Sequence, residues 1–114
     1  MSSAPKVEVK SRENLARSPV TNRLKPERVQ DGLRKLPNWR QSRDGRSLVR
    51  TFRFADTGAP LAFAGFVLTL AGQEEHHPIV TLHKGTVECK LTTPAAGGIT
   101  VRDFDMARRI SLLG

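Results

Sequence analysis

Two adjacent imidazoles, His76 and His77, stand in the stretch QEEHHPIVTLHKG, residues 73–85, with two carboxylates ahead of them and Pro78 directly behind. Imidazole is the side chain whose ordinary titration range straddles neutrality, so a pair can give a proton to one atom of a substrate and take one from another. The chain has three histidines, and His83 is the remaining one. No cysteine or carboxylate spacing completes a ligand set around them, so neither a metal nor another cofactor is expected. The same residues also suit a helix end, where imidazoles hydrogen-bond the last carbonyls and face the negative end of the helix dipole. The stretch by itself leaves both readings open. Gly97 and Gly98 are too isolated for a phosphate loop and are expected to shape a turn.

The elements that must position the histidines follow from periodicity. Residues 1–24 mix Ser, Pro, Lys, Arg and Glu with isolated apolar residues and lack a stripe to bury, which predicts a disordered basic tail with Lys6, Lys10, Arg12, Arg17 and Arg23 as candidate binding cations. The folded domain is expected over 25–114. Pro26 suits a first helical position, and Val29, Leu33 and Leu36 recur at helical spacing up to Pro37, with Arg28, Arg34 and Lys35 on the other face. Asp44-Gly45 is a hairpin signal, and Leu48, Phe52 and Phe54 recur at even spacing in the strand that follows. Asp56 or Thr57 is the expected cap of a second helix, APLAFAGFVLTLAG, whose apolar circumference calls for burial between the sheet and another surface. Two further strands, IVTLH and TVECKLTT, turn around Lys84-Gly85; Val87, Cys89 and Leu91 face one way, Glu88 and Lys90 the other. Thr100 with Asp103 three residues on resembles a capping box for a last helix buried through Phe104, Ala107 and Ile110, and Asp103 reads first as cap partner rather than acid. The result is an α+β fold, α-β-β-α-β-β-α, with a four-stranded antiparallel sheet and three helices on one face.

Length and charge set outer limits. A chain of 114 residues makes one domain with a modest core, so a subunit interface is expected to add stability, as a homodimer or a tetramer. The single cysteine forms no internal disulfide, no apolar run reaches the roughly 18–20 residues of a membrane span, and the N-terminus lacks a secretory apolar segment, which points to the cytoplasm. A formal charge of +8 favours an acidic partner, but with one Trp, no Tyr and no recognisable reading motif, nucleic acid is not the expected one.

From Trp39 to Asp103 the chain resembles the pterin-4a-carbinolamine dehydratase (4a-hydroxytetrahydrobiopterin dehydratase) family without gaps. The resemblance rests on Trp39, Gly45-Arg46, Phe52–Phe54 with Asp56, Phe63, the EHHP run Glu75–Pro78, Leu91–Thr93, and the GIT and RD pairs ahead of the last helix. It implies the pterin dehydratase-like fold, with oligomers that pair sheets and bury the second helix. It also implies a pterin pocket served by three histidines, one group protonating the departing 4a-hydroxyl and another taking the ring-nitrogen proton. His76 and His77 fall on the first two family histidines, and Glu75, Pro78, Thr93 and Asp103 on family positions. If the chain is active, the resemblance makes His76 the principal acid/base group and His77 its orienting partner.

The departures lie at the pocket. Pro94 occupies the third histidine's position and has no side-chain proton to exchange. Val80 and Lys84 replace aromatic residues, and Gly72 replaces a glutamate. Losing one member of an acid/base set costs about 10²–10⁴ in rate. Such losses, together with the basic extension, resemble the dehydratase-like branch that acts in Rubisco assembly, including the factor of α-carboxysomes. That resemblance implies a non-catalytic chaperone in carbon fixation whose partners are the Rubisco large subunit or its assembly intermediates, in the cytoplasm or at the carboxysome. The alternatives are a working 4a-hydroxytetrahydrobiopterin dehydratase and a dimerisation cofactor for a regulatory protein.

Overall fold

The computed structural model describes residues 22–114; Lys6, Lys10, Arg12 and Arg17 of the candidate basic tail lie outside the described residues. The elements run α1 (Pro26–Arg34), β1 (Arg40–Gln41), β2 (Leu48–Arg53), α2 (Ala59–Glu74), β3 (Ile79–His83), β4 (Thr86–Leu91), a single 3₁₀ turn (Pro94–Ala96) and α3 (Val101–Ser111). The four strands form one antiparallel sheet in the order β1-β2-β4-β3. Since β2 and β3 are each antiparallel to β4, they run parallel to one another, and α2 makes the crossover between them. This is the α+β arrangement that the apolar periodicities predict.

The core lies between one sheet face and the helices. Leu48 and Phe52 of β2 join Val87, Cys89 and Leu91 of β4 on that face, and Val29, Phe63, Val67, Ala71, Phe104, Ala107 and Ile110 close over them. β4 alternates buried and half-buried residues throughout, as its period of two requires. Phe63 binds the sheet to α2, its ring centroid 4.5 Å from Phe52 and 5.3 Å from Phe54. Burial pushes the Cys89 thiol up to about 11, with Arg50 pulling weakly the other way.

Several boundaries differ from expectation. α1 stops at Arg34 rather than reaching Pro37, because the residue before a proline is driven out of helical geometry; single-turn bonds from Lys35 N to Gly32 O and Leu36 N to Leu33 O finish it. The 42–47 loop is longer than a two-residue hairpin: Gly45 sits at φ 75° and closes a turn onto Ser42 O, while Asp44 accepts from Ser42 Oγ and Arg46 N. Those two bonds hold the Asp44 carboxyl below its ordinary range. Neither Asp56 nor Thr57 caps α2. Gly58 is the cap residue, and Asp56 Oδ1 instead accepts from Gly58 N at 2.8 Å, shaping the turn just ahead. Ahead of α1, Leu24 packs against the core and its amide donates to Ile99 O at 2.8 Å.

α2 is covered on one side only. Its inner row is Phe63, Ala64, Val67 and Ala71, while Leu61, Phe66 and Leu68 stand exposed, Leu61 at 71% and Phe66 at 63%. Ile79 and Leu82 on the edge strand β3 are exposed as well. No helix among the described residues is long and apolar enough to cross a membrane.

Candidate functional site

The His-His-Pro run is the end of α2. Glu75 adopts the left-handed conformation, φ 54° and ψ 37°, and His76 N reaches back to Ala71 O at 3.2 Å. A bond spanning five residues around a left-handed residue is the Schellman termination, and a proline soon after such a stop prevents the helix from resuming. Glycine is the usual occupant of the left-handed place; a residue with a Cβ costs about 1–2 kcal/mol there. What holds the turn is Arg102, whose Nη2 donates to Glu75 O at 3.0 Å. The sequence does not single Arg102 out, since its role depends on the meeting of α3 with the end of α2.

His76 is swung inward by this turn and is 8% exposed. Its Nε2 lies 2.5 Å from Oδ1 of Asp103, which is fully buried in the first turn of α3. The other oxygen, Oδ2, accepts from Thr93 Oγ1 at 2.8 Å and from Thr100 N at 2.9 Å. Thr93 and Thr100 also join their hydroxyls at 2.8 Å, and Thr100 Oγ1 accepts from Arg102 N at 3.2 Å. The donors fix the direction of the chain. Thr93 spends its proton on Asp103, so Thr100 must donate to Thr93. Asp103 accepts at both oxygens and holds His76 with a proton on Nε2. The predicted capping box is therefore present and extended by an imidazole.

The remaining candidates are placed differently. His77 is exposed on the outer side of the turn, and Pro78 is buried behind it. The Glu75 side chain is exposed, and its contribution to the network is its carbonyl. Pro94 opens the exposed 3₁₀ turn directly after Thr93, a turn that ends with Gly97 at φ 78° and is closed by Thr93 N to Gly98 O at 3.0 Å. The site thus gathers His76, Thr93 and Asp103 into one buried network, with His77 and Pro94 exposed outside it. Arg23, the one tail cation among the described residues, lies against Gly98: a Cβ added there would come within 2.8 Å of its Nε. The cavity beside His76 holds about 80 Å³ and is lined by Glu74, Arg102, Asp105, Met106 and Arg109.

Residues 22–113 match the family described as pterin 4 alpha carbinolamine dehydratase. A protein of Thermomicrobium roseum named "Putative pterin-4-alpha-carbinolamine dehydratase" is 41% identical over 81 residues, 71% of this chain and 85% of that one. A protein of the same name from Rhodopseudomonas palustris is 36% identical over 82% of this chain and 93% of its own length. Among solved structures, the transcriptional coactivator/pterin dehydratase of Brucella melitensis superposes with a TM-score of 0.75 at 30% identity, covering 81% of this chain and 98% of that one. A pterin dehydratase-like protein described as a RuBisCO assembly factor in the alpha-carboxysome superposes with a TM-score of 0.57 at 21% identity, over 67% of this chain and 88% of its own, which is a likeness of fold. With the fold, the His-His-Pro turn and the match over 22–113 in agreement, this chain belongs to the pterin 4 alpha carbinolamine dehydratase family.

Proposed function

We propose that this chain is a non-catalytic member of its family that binds incompletely assembled Rubisco and assists its assembly, in the cytoplasm or at the carboxysome. The observation that carries the reading is the state of the proton-transfer groups. His76 has its Nε2 committed to a buried carboxylate, and by the family resemblance Pro94 stands where a third imidazole is expected. His77 is the exposed imidazole of the run and His76 keeps only Nδ1 for exchange, whereas expelling the 4a-hydroxyl as water requires one group to give a proton and another to take one. The 80 Å³ beside His76 also falls well short of the roughly 300 Å³ at which small-molecule sites begin. An assembly factor needs a surface rather than a reaction: it must hold an incomplete oligomer and leave when the proper subunit arrives. A formal charge of +8 suits an acidic partner, and the exposed Leu61, Phe66, Leu68, Ile79 and Leu82 suit a second copy of the chain, as a homodimer or tetramer that would present each contact more than once.

The second reading, a 4a-hydroxytetrahydrobiopterin dehydratase, is favoured by the exposed His77 and by the names of the sequence relatives. One assay separates the two: dehydration of the 4a-hydroxypterin by wild type and by Pro94→His. The assembly reading expects a wild-type rate near background and a gain of about 10²-fold or more on restoring the third imidazole. A brisk wild-type rate overturns it. Failure of the purified protein to associate with Rubisco large subunit at low salt would overturn the partner assignment.

A further inference from the structure

β2 is longer than the strand lying along its outer side. β1 pairs only with Leu48 and Val49. Continuing that register would set Trp39 opposite Arg50 and Asn38 opposite Thr51, but the chain departs at Trp39. The Trp39 amide turns back to Leu36 O at 2.9 Å, and its buried indole donates to Ser111 Oγ at 2.8 Å. Backbone amides alternate in direction along a strand. Ser47 O accepts from Ser42 N on the β1 side, and Phe54 N donates to Gly85 O on the β4 side. Thr51 and Arg53 therefore aim their N–H and C=O groups at the uncovered edge, where no hydrogen-bond partner for them is found among the described residues.

Beside this edge lies a cleft of about 390 Å³ lined by Asn38, Arg50, Phe52, Arg53, Phe54 and Gly114. The Arg50 guanidinium lies 4.1 Å over the Phe52 ring and donates to Ser111 Oγ at 3.1 Å, while Arg53 is exposed. Neither has a carboxylate partner among the described residues. Unpaired main chain, an aromatic wall and two unneutralised guanidiniums are together the features of strand addition by an acidic peptide.

We propose that this edge docks an extended acidic segment of a partner protein as an added strand continuing the line of β1. Its main chain bonds Thr51 and Arg53. Its alternate side chains serve the two faces: acidic ones meet Arg53, and those entering the cleft pack on Phe52 and Phe54 beside Arg50. This goes beyond the assembly reading and does not depend on it.

The test uses full-length protein and a fluorescein-labelled hexapeptide of alternating Glu and Val, followed by fluorescence anisotropy at low salt. Saturable binding is expected. Arg53→Glu should weaken it about 10-fold or more, because an attractive charge contact becomes repulsive. Thr51→Pro should weaken it similarly with an unchanged thermal midpoint, since the deleted N–H bonds nothing in the free protein. The same peptide N-methylated at alternate amides, and an alternating Lys-Val peptide, should fail to bind. Equal binding of the N-methylated peptide would reduce the site to loose charge attraction and overturn the proposal, as would indifference to Arg53→Glu or an absence of saturable binding. If Thr51→Pro unfolds, the N-methylated peptide decides the question on wild-type protein.

Discussion

Replacing Asp103 by Ala and by Asn tests the account of the buried network, because the two variants remove different parts of it. Asp103 accepts from His76, Thr93 and the Thr100 amide, and it is fully buried. Alanine abolishes all three contacts and strands a buried imidazole and a hydroxyl without their acceptor. Leaving the His76 and Thr93 donors unpaired in a buried setting costs about 1–3 kcal/mol each, so about 3–5 kcal/mol is expected in all with the lost cap inside that figure. For a domain of this size 1 kcal/mol moves the midpoint by about 4–8 °C, so Asp103→Ala should melt about 12–40 °C below wild type. Asparagine keeps an oxygen for Thr93 and Thr100 N. Its NH₂ then faces His76 Nε2, which must become an acceptor, moving the ring proton to Nδ1. That variant should lose only about 1–2 kcal/mol, the scale of a charge-assisted bond replaced by a neutral one. Urea and thermal unfolding give the energies, and ¹⁵N chemical shifts of the imidazole report the tautomer. If asparagine costs as much as alanine, or if His76 keeps its proton on Nε2 in the asparagine variant, the assignment of donors and acceptors is wrong.

Gly32→Ala should destabilise the protein despite its helical setting: the added Cβ would lie 2.6 Å from Phe104 Cζ, and overpacking of about 1–3 kcal/mol outweighs a propensity gain of about 1 kcal/mol. A raised urea midpoint would contradict that packing. Glu75→Gly should raise stability by about 1 kcal/mol by relieving the left-handed residue, seen as a higher thermal midpoint. With its thiol pushed up to about 11 by burial, Cys89 should be about 0.1% thiolate at pH 8, so a disulfide reagent should label the native protein about 200-fold more slowly than the urea-unfolded chain, whose thiol titrates near 8.5. Comparable rates would mean that the strand opens readily.

Most of the fold is legible in period and punctuation. The two-residue alternation of Val87, Cys89 and Leu91 and the Thr100–Asp103 spacing each map onto what forms, because both are set by neighbours in sequence. What sequence leaves open depends on contacts made from afar. The strand order places β4 between β2 and β3, a matter of the α2 crossover rather than of any local signal. The early end of β1 comes from Trp39, whose indole is drawn to Ser111 at the far end of the chain. In the site, the helix-end and proton-transfer readings of His76 and His77 diverge only once α3 is docked. The same docking that lets Asp103 cap α3 brings its carboxylate to His76, and it brings Arg102 onto the Glu75 carbonyl.

That double duty bears on how the site residues are read. His76, Thr93 and Asp103 satisfy one another inside a buried interface between the end of α2, the end of β4 and the start of α3, so each has a structural task independent of any substrate. A buried acceptor deprived of its donors costs as much as a core cavity, so folding alone gives a reason for these residue types here. Their presence is then weak support for turnover. The informative positions are those free of such duty: Pro94 and His77, exposed and unneeded by the network. His77 carries an imidazole there, and the resemblance to the family sets Pro94 where a third imidazole would stand. The proposed non-catalytic reading therefore stands on those two positions, since a binding role asks nothing of them, whereas dehydration needs two groups acting on one substrate.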